Sequence, residues 1–223
     1  MRYGYLVLLA MLAAAPASAG LLDPAGYDAS KFLPPPPQAD SAVTEGELSE
    51  LRAITASASA EHRAFAARDA KDETPDIFNG VIGFDIATTP QTHKLLQMVA
   101  EEEEGDSKAA KKFFHRERPY AVDPSLKTCT PTKPGKAATS YPSGHATLAF
   151  SMGIVLAQVL PSRSQAILAR SKEYAENRLV CGVHYRSDIV AGQQFGTVLA
   201  LRLMENAAFK SQMDLATAEL AHH

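Results

Sequence analysis

The sequence predicts an all-α fold, a compact helical bundle. Three observations carry that expectation. Apolar residues recur at three- and four-residue spacing in several long stretches, the period of one helix face. No stretch shows the strict alternation of a half-buried strand, and no internal repeat is present. Hydrophobic residues make up 46% of the 223-residue chain, enough to build a core between helices.

The first nineteen residues read as a signal peptide. Arg2 precedes an apolar run over 6–15, and Ala17-Ser18-Ala19 has the small-x-small pattern of a cleavage site. The run is too short to cross a bilayer, which takes about 20 residues. The expectation is therefore export to the periplasm, with no span in the mature chain. There Cys129 and Cys181 can pair, a bridge over 52 residues.

Residues 20–46 read as an extended, Pro-rich segment. Phe32-Leu33 is followed by four prolines, which fix φ and lack N–H donors, so the segment is a linker or a surface strap. A single all-α domain is expected over 47–223. Within it, 47–72 lacks Gly and Pro and places Leu48, Leu51, Ile54 and Ala58 on one helical face. The turn-rich 75–89 has room for a short helix. Pro90 opens a helix over 91–104, where Glu101 to Glu104 read as a solvated face and Gly105 as a stop. A further helix spans 107–117.

Residues 120–141 contain three prolines and little periodicity, a long loop of the kind that usually carries function. A strongly apolar helix follows over 146–160, ending at Pro161. Ser162-x-x-Gln165 has the pattern of a capping box for the next helix, to about Val180. Ser187 is expected to cap a last long helix, in which Gly192, Gly196 and Ala200 permit close packing.

Composition excludes some functions. Lys plus Arg is 22 and Asp plus Glu is 25, a formal charge of −3, and cleavage removes one more cation, Arg2. That argues against a nucleic-acid polymer as partner. Two cysteines are too few for an all-cysteine zinc site, and the absence of Trp weakens any stacking platform.

Three segments carry candidate chemistry. Lys111 and Arg118 are seven apart, about two helical turns, so they share one face; alone, that reads as a solvated basic face. Ser143-Gly144-His145 precedes the apolar helix, either as an ordinary cap or as an anion site at a helix N-terminus. Arg178, His184 and Asp188 form the third. A carboxylate four residues after an imidazole can hold one ring nitrogen and free the other as nucleophile or base, or the two can form a surface ion pair.

Together, Lys-x6-Arg-Pro, Pro-Ser-Gly-His and Arg-x5-His-x3-Asp resemble the signature of the type 2 phosphatidic acid phosphatase superfamily. The leader and Phe-Leu-Pro-Pro-Pro-Pro resemble its bacterial class A non-specific acid phosphatases. The resemblance implies a periplasmic enzyme that hydrolyses phosphate monoesters without metal or other cofactor, with possible transfer to alcohols or nucleosides. It implies His184 as the nucleophile, Asp188 as its orienting carboxylate and His145 as the general acid. Lys111, Arg118, Ser143, Gly144 and Arg178 would bind the phosphate. It also implies a homodimer or higher oligomer. Asn177 stands where the family usually has Ser. His62, His93, His115, His222 and His223 are assigned no role, and Lys112 and Arg116 are read as solvated helix charges. The rival expectations are a vanadate-dependent haloperoxidase-like enzyme and a catalytically dead phosphate-binding periplasmic protein.

Overall fold

A computed structural model describes residues 21–22, 28–133, 135–221 and 223. The expected signal peptide, 1–19, lies outside the described residues, as does His222. Among the described residues every regular element is helical, and no helix is long and apolar enough to cross a membrane.

The first helical stretch is two helices, not one. α1 spans Ala42–Ser57 and is capped by Ser41, whose side chain accepts from the Thr44 N–H. Ala58 and Ser59 are extended, and Ser59 caps α2, Ala60–Asp69. Serines flank Ala58, and a serine hydroxyl offers the backbone a partner outside the helix, so the chain breaks where propensity alone would continue. Next come a 3-10 turn at Pro75–Phe78, the short α3 at Asn79–Ile82 and a second turn at Ile86–Thr88.

α4 runs unbroken over Pro90–Phe114. The expected stop at Gly105 does not occur. An exposed helical glycine costs only about 1 kcal/mol. The helix here is held by burial of Leu95, Leu96, Val99 and Ala110 on one face. It ends at His115, which takes the left-handed conformation at φ 49°. α5, Pro119–Val122, is a single turn, and the described residues from there to Ser143 form no further helix.

α6, Gly144–Val159, is the central helix and packs against α4, α7, α8 and α9. α7 is Ser164–Val180, entered through a 3-10 turn at Pro161–Arg163. That turn displaces the expected Ser162 capping box: Arg163 is the cap and makes no side-chain capping bond. α8 is Arg186–Leu203. Ser187 lies inside its first turn, and Asp188 accepts the Tyr185 N–H in the capping role. A further helix, α9 at Ala207–Leu220, follows a cap by Asn206 and was not anticipated.

The small residues of α8 act as expected. A Cβ on Gly192 would lie 2.6 Å from the Ser143 carbonyl and 2.7 Å from Ala146 Cβ. α8 therefore rests directly on the start of α6. The segment expected to be extended over 20–46 is so only in part: Ala29–Lys31 form a 3-10 turn and residues 42–46 already belong to α1. The prolines between them form a strap, with Leu33 buried and the Tyr141 hydroxyl donating to the Pro34 carbonyl at 2.7 Å.

Cys129 and Cys181 form a disulfide that joins the long loop to the end of α7. Its 52-residue separation corresponds to about 4 kcal/mol in the chain-entropy account. Reduction should lower the thermal unfolding midpoint by several degrees; an unchanged midpoint in reductant would show that the bridge adds no stability.

Candidate active site

The three motif segments meet at one cavity of about 970 Å³, and Lys111, Arg118, Gly144, His145, Arg178 and His184 all line it. Their convergence has a different cause from the one expected for the first motif. α4 ends at Phe114, so Lys111 and Arg118 do not share a helix face. Lys111 reaches the cavity from the last turn of α4, and Arg118 from beyond the left-handed turn at His115. The Arg118 backbone N–H is bonded to the Ala137 carbonyl at 2.6 Å, and its guanidinium to the Val183 and Thr139 carbonyls.

His184 Nδ1 lies 3.3 Å from Asp188 Oδ2. The same oxygen accepts from Ser140 Oγ at 2.6 Å and the Tyr185 N–H at 2.8 Å. Oδ1 accepts from Arg116 Nη1 at 2.7 Å. Burial pushes the Asp188 carboxyl up, opposed by Arg116, Ser140 and the Tyr185 N–H. Arg116 and the Tyr185 N–H can only donate, so the site suits a carboxylate. His184 is buried, and desolvation plus Arg118 and Arg178 hold it well below the usual imidazole range. It is therefore neutral at mildly acid pH.

His145 stacks on Tyr174 with ring centroids 5.5 Å apart, and its Nδ1 lies 3.0 Å from Glu73 Oε1. Its Nε2 is buried with no partner. Burial, then Arg178 and His184, hold its pKa well below the ordinary value too. Burial likewise depresses Lys111, Arg118 and Arg178, the last to about 10. Arg118 Nε, Arg178 Nε and Arg178 Nη1 are buried and unpartnered. Desolvated donors left open at one place are the signature of an anion site.

Ser143 and Asp188 stand behind the cavity wall. Ser143 is fully buried; its Oγ accepts from the Ala146 N–H at 3.4 Å, capping α6, and its N–H donates to the Asp188 carbonyl. Among the described residues, no group of three or more His, Cys, Asp and Glu side chains is placed to hold a metal ion.

Several contributors were not singled out from sequence. Arg116 corrects the expectation most sharply. Far from a solvated helix charge, it is 8% exposed and lies past the end of α4. It spans Asp188 and Glu47, at 2.7 and 3.0 Å, over the face of Tyr185. Glu47 also accepts the Ser187 N–H, so α1 braces the start of α8. Glu103 and Ser107 precede Lys111 by two turns and one turn on the same face of α4. Reading α4 as one helix would have exposed that pattern; splitting it at Gly105 hid it.

Asn177 has a defined place. Its Nδ2 donates to Asp69 Oδ2 at 2.7 Å, so its Oδ1 faces His62 Nε2 at 3.0 Å and that nitrogen carries the proton. Asp69 in turn pairs with Arg170 at 2.6 Å. Asn177 thus ties α2 to α7 one residue before Arg178. His62, given no role from sequence, is half of that tie.

Residues 95–211, which include all three motifs, match the PAP2 superfamily. The chain is 31% identical over 197 residues to a non-specific acid phosphatase of Salmonella typhi, covering 85% of this chain and 78% of that protein. It is 29% identical over 203 residues to a non-specific acid phosphatase of Providencia stuartii, covering 87% and 81%. Among solved structures, its fold resembles a bacterial vanadium-dependent iodoperoxidase, with a TM-score of 0.59 at 21% identity, covering 80% of this chain and 53% of that one. It also resembles a transmembrane PAP2-type phosphatidylglycerolphosphate phosphatase of Bacillus subtilis, with a TM-score of 0.56 at 15% identity, covering 74% and 86%. With the motifs gathered at one cavity and relatives matched over most of their length, the chain belongs to the PAP2 superfamily, beside the bacterial non-specific acid phosphatases, and is a phosphatase.

Proposed function

We propose that the chain hydrolyses small phosphate monoesters in the periplasm through a phosphohistidine intermediate on His184. The observation that carries this reading is the set of buried, unpartnered donors on Arg118 and Arg178 around one cavity, with the open Nε2 of His145 beside them. A phosphate dianion supplies the missing acceptors, and Lys111 and the Gly144 N–H at the start of α6 add to the cradle. The leader-like residues 1–19 and the disulfide support the location.

In the first step His184 Nε2 attacks phosphorus while Asp188 holds Nδ1–H. The P–N bond forms and the P–O ester bond breaks. His145 gives its proton to the leaving oxygen, and the alcohol departs. In the second step neutral His145 takes a proton from water, which attacks phosphorus as the P–N bond breaks. Asp188 stabilises the imidazolium formed between the steps. An acceptor alcohol in place of water gives phosphotransfer.

The pKa directions set the pH dependence. A depressed pKa keeps His184 a free base well below pH 6.5, so its acid limb lies far to the acid side. The same direction at His145 means that its proton is lost as pH rises, unless the bound anion restores it. Release of p-nitrophenol from p-nitrophenyl phosphate should therefore peak on the acid side of neutrality and fall steadily above it. No release at any pH from 4 to 9 would overturn the assignment.

A further inference from the structure

We propose that Glu103 sets how tightly the phosphate site holds its anion: ionised, it competes with the phosphate for Lys111, and protonated, it yields Lys111 to it. This deepens the reading of the cavity as a phosphate site and rests on it.

Glu103 is 7% exposed, lines the cavity, and its Oε1 has no hydrogen-bond partner. It stands where the anion would be cradled. A Cβ placed on Gly144 would lie 3.0 Å from Lys111 Nζ, 3.1 Å from Ser107 Oγ and 3.6 Å from Glu103 Oε1. Gly144 therefore leaves open a space walled by an ammonium, a hydroxyl and a carboxyl. Ser107 accepts from Lys111 Nζ at 2.6 Å, and its nearby hydroxyl favours the ionised form of Glu103.

The surroundings decide which form prevails. On its own helix Glu103 faces Lys111 and Asp106; from the segment after α2 it faces Glu73. Lys111 also feels Arg118 and Lys136 from the loop side and Asp188 from α8, and His145 lies beside Gly144 on the cavity wall. Burial, reinforced by Glu73 and Asp106, favours the neutral carboxyl; Lys111 and Ser107 oppose it. A bound dianion adds two more negative charges and favours the neutral form further. Anion binding is thus linked to uptake of a proton by Glu103, and affinity falls as pH rises through its titration.

Sulfate is the probe, because its charge is constant from pH 5 to 8. Its affinity is measured by calorimetry on the full mature protein, and its inhibition constant against p-nitrophenyl phosphate in parallel. One linked proton corresponds to up to tenfold in affinity per pH unit. Wild type should lose sulfate affinity up to about tenfold more steeply per pH unit than Glu103→Gln. Glu103→Asp, which keeps the charge, should follow wild type. Glu103→Ala, which leaves its space to the cavity, serves where Glu103→Gln fails to fold. Superimposable pH profiles for wild type and the neutral variants would overturn the proposal. Its failure is distinct from failure of the functional reading: absent hydrolysis removes the latter, while direct sulfate binding still tests Glu103.

Discussion

His184→Ala should fold and bind sulfate but lose at least about a thousandfold in turnover of p-nitrophenyl phosphate, as expected when a nucleophile is removed from a unit of cooperating groups. Survival of the fold follows from the local bonding. Asp188 loses one donor and keeps Arg116, Ser140 and the Tyr185 N–H. The vacated volume faces the cavity, so no sealed void is left in the core. Circular dichroism checks the fold, and rapid quenching with labelled substrate checks whether the wild type forms an acid-labile phosphoenzyme that the variant lacks. Near-normal turnover in the variant would remove His184 as the nucleophile.

Arg116→Met should be the most destabilising single change near the site. It removes one cation and strands two carboxylates, Asp188 and Glu47, with side chains 0% and 10% exposed. Breaking a buried pair by deleting one partner costs about 3–5 kcal/mol. For a chain of this size that is roughly 6 to 20 °C of thermal midpoint. Activity should fall too, since an unpaired Asp188 tends to take a proton and can then no longer accept from His184. Arg116→Lys restores the charge without the fork that reaches both carboxylates, so it should recover only part of either loss. A midpoint within a degree of wild type for Arg116→Met would show that the buried triad adds nothing.

Much of this was legible in the chain. The all-α class followed from apolar spacing, and the cavity gathers Lys111, Arg118, Gly144, His145, Arg178 and His184 from three short motifs. What was illegible had two physical origins. Local punctuation is outvoted by burial: Gly105 sits inside α4 because the face on either side is anchored in the core, whereas Ser57 and Ser59 break a stretch that propensity would join. Charge is the other. Nothing local distinguishes Arg116 from Lys112, yet one is clamped between carboxylates 69 and 72 residues away and the other is exposed. Long-range partners decide whether a charge is solvent-facing or structural. Glu103, read as part of an acidic face, is also buried, because α4 turns that side toward the start of α6.

The contact between α6 and α8 has a consequence for the order of assembly. The Ser143 N–H is bonded to the Asp188 carbonyl, and Gly192 seats the first turn of α6. The cradle for the anion and the base that would attack it are thus finished by one docking event between segments distant along the chain. Closing such long loops is slow relative to forming local helices. Turnover is therefore a late milestone of folding, and a chain cut before α8 has helices but no working centre.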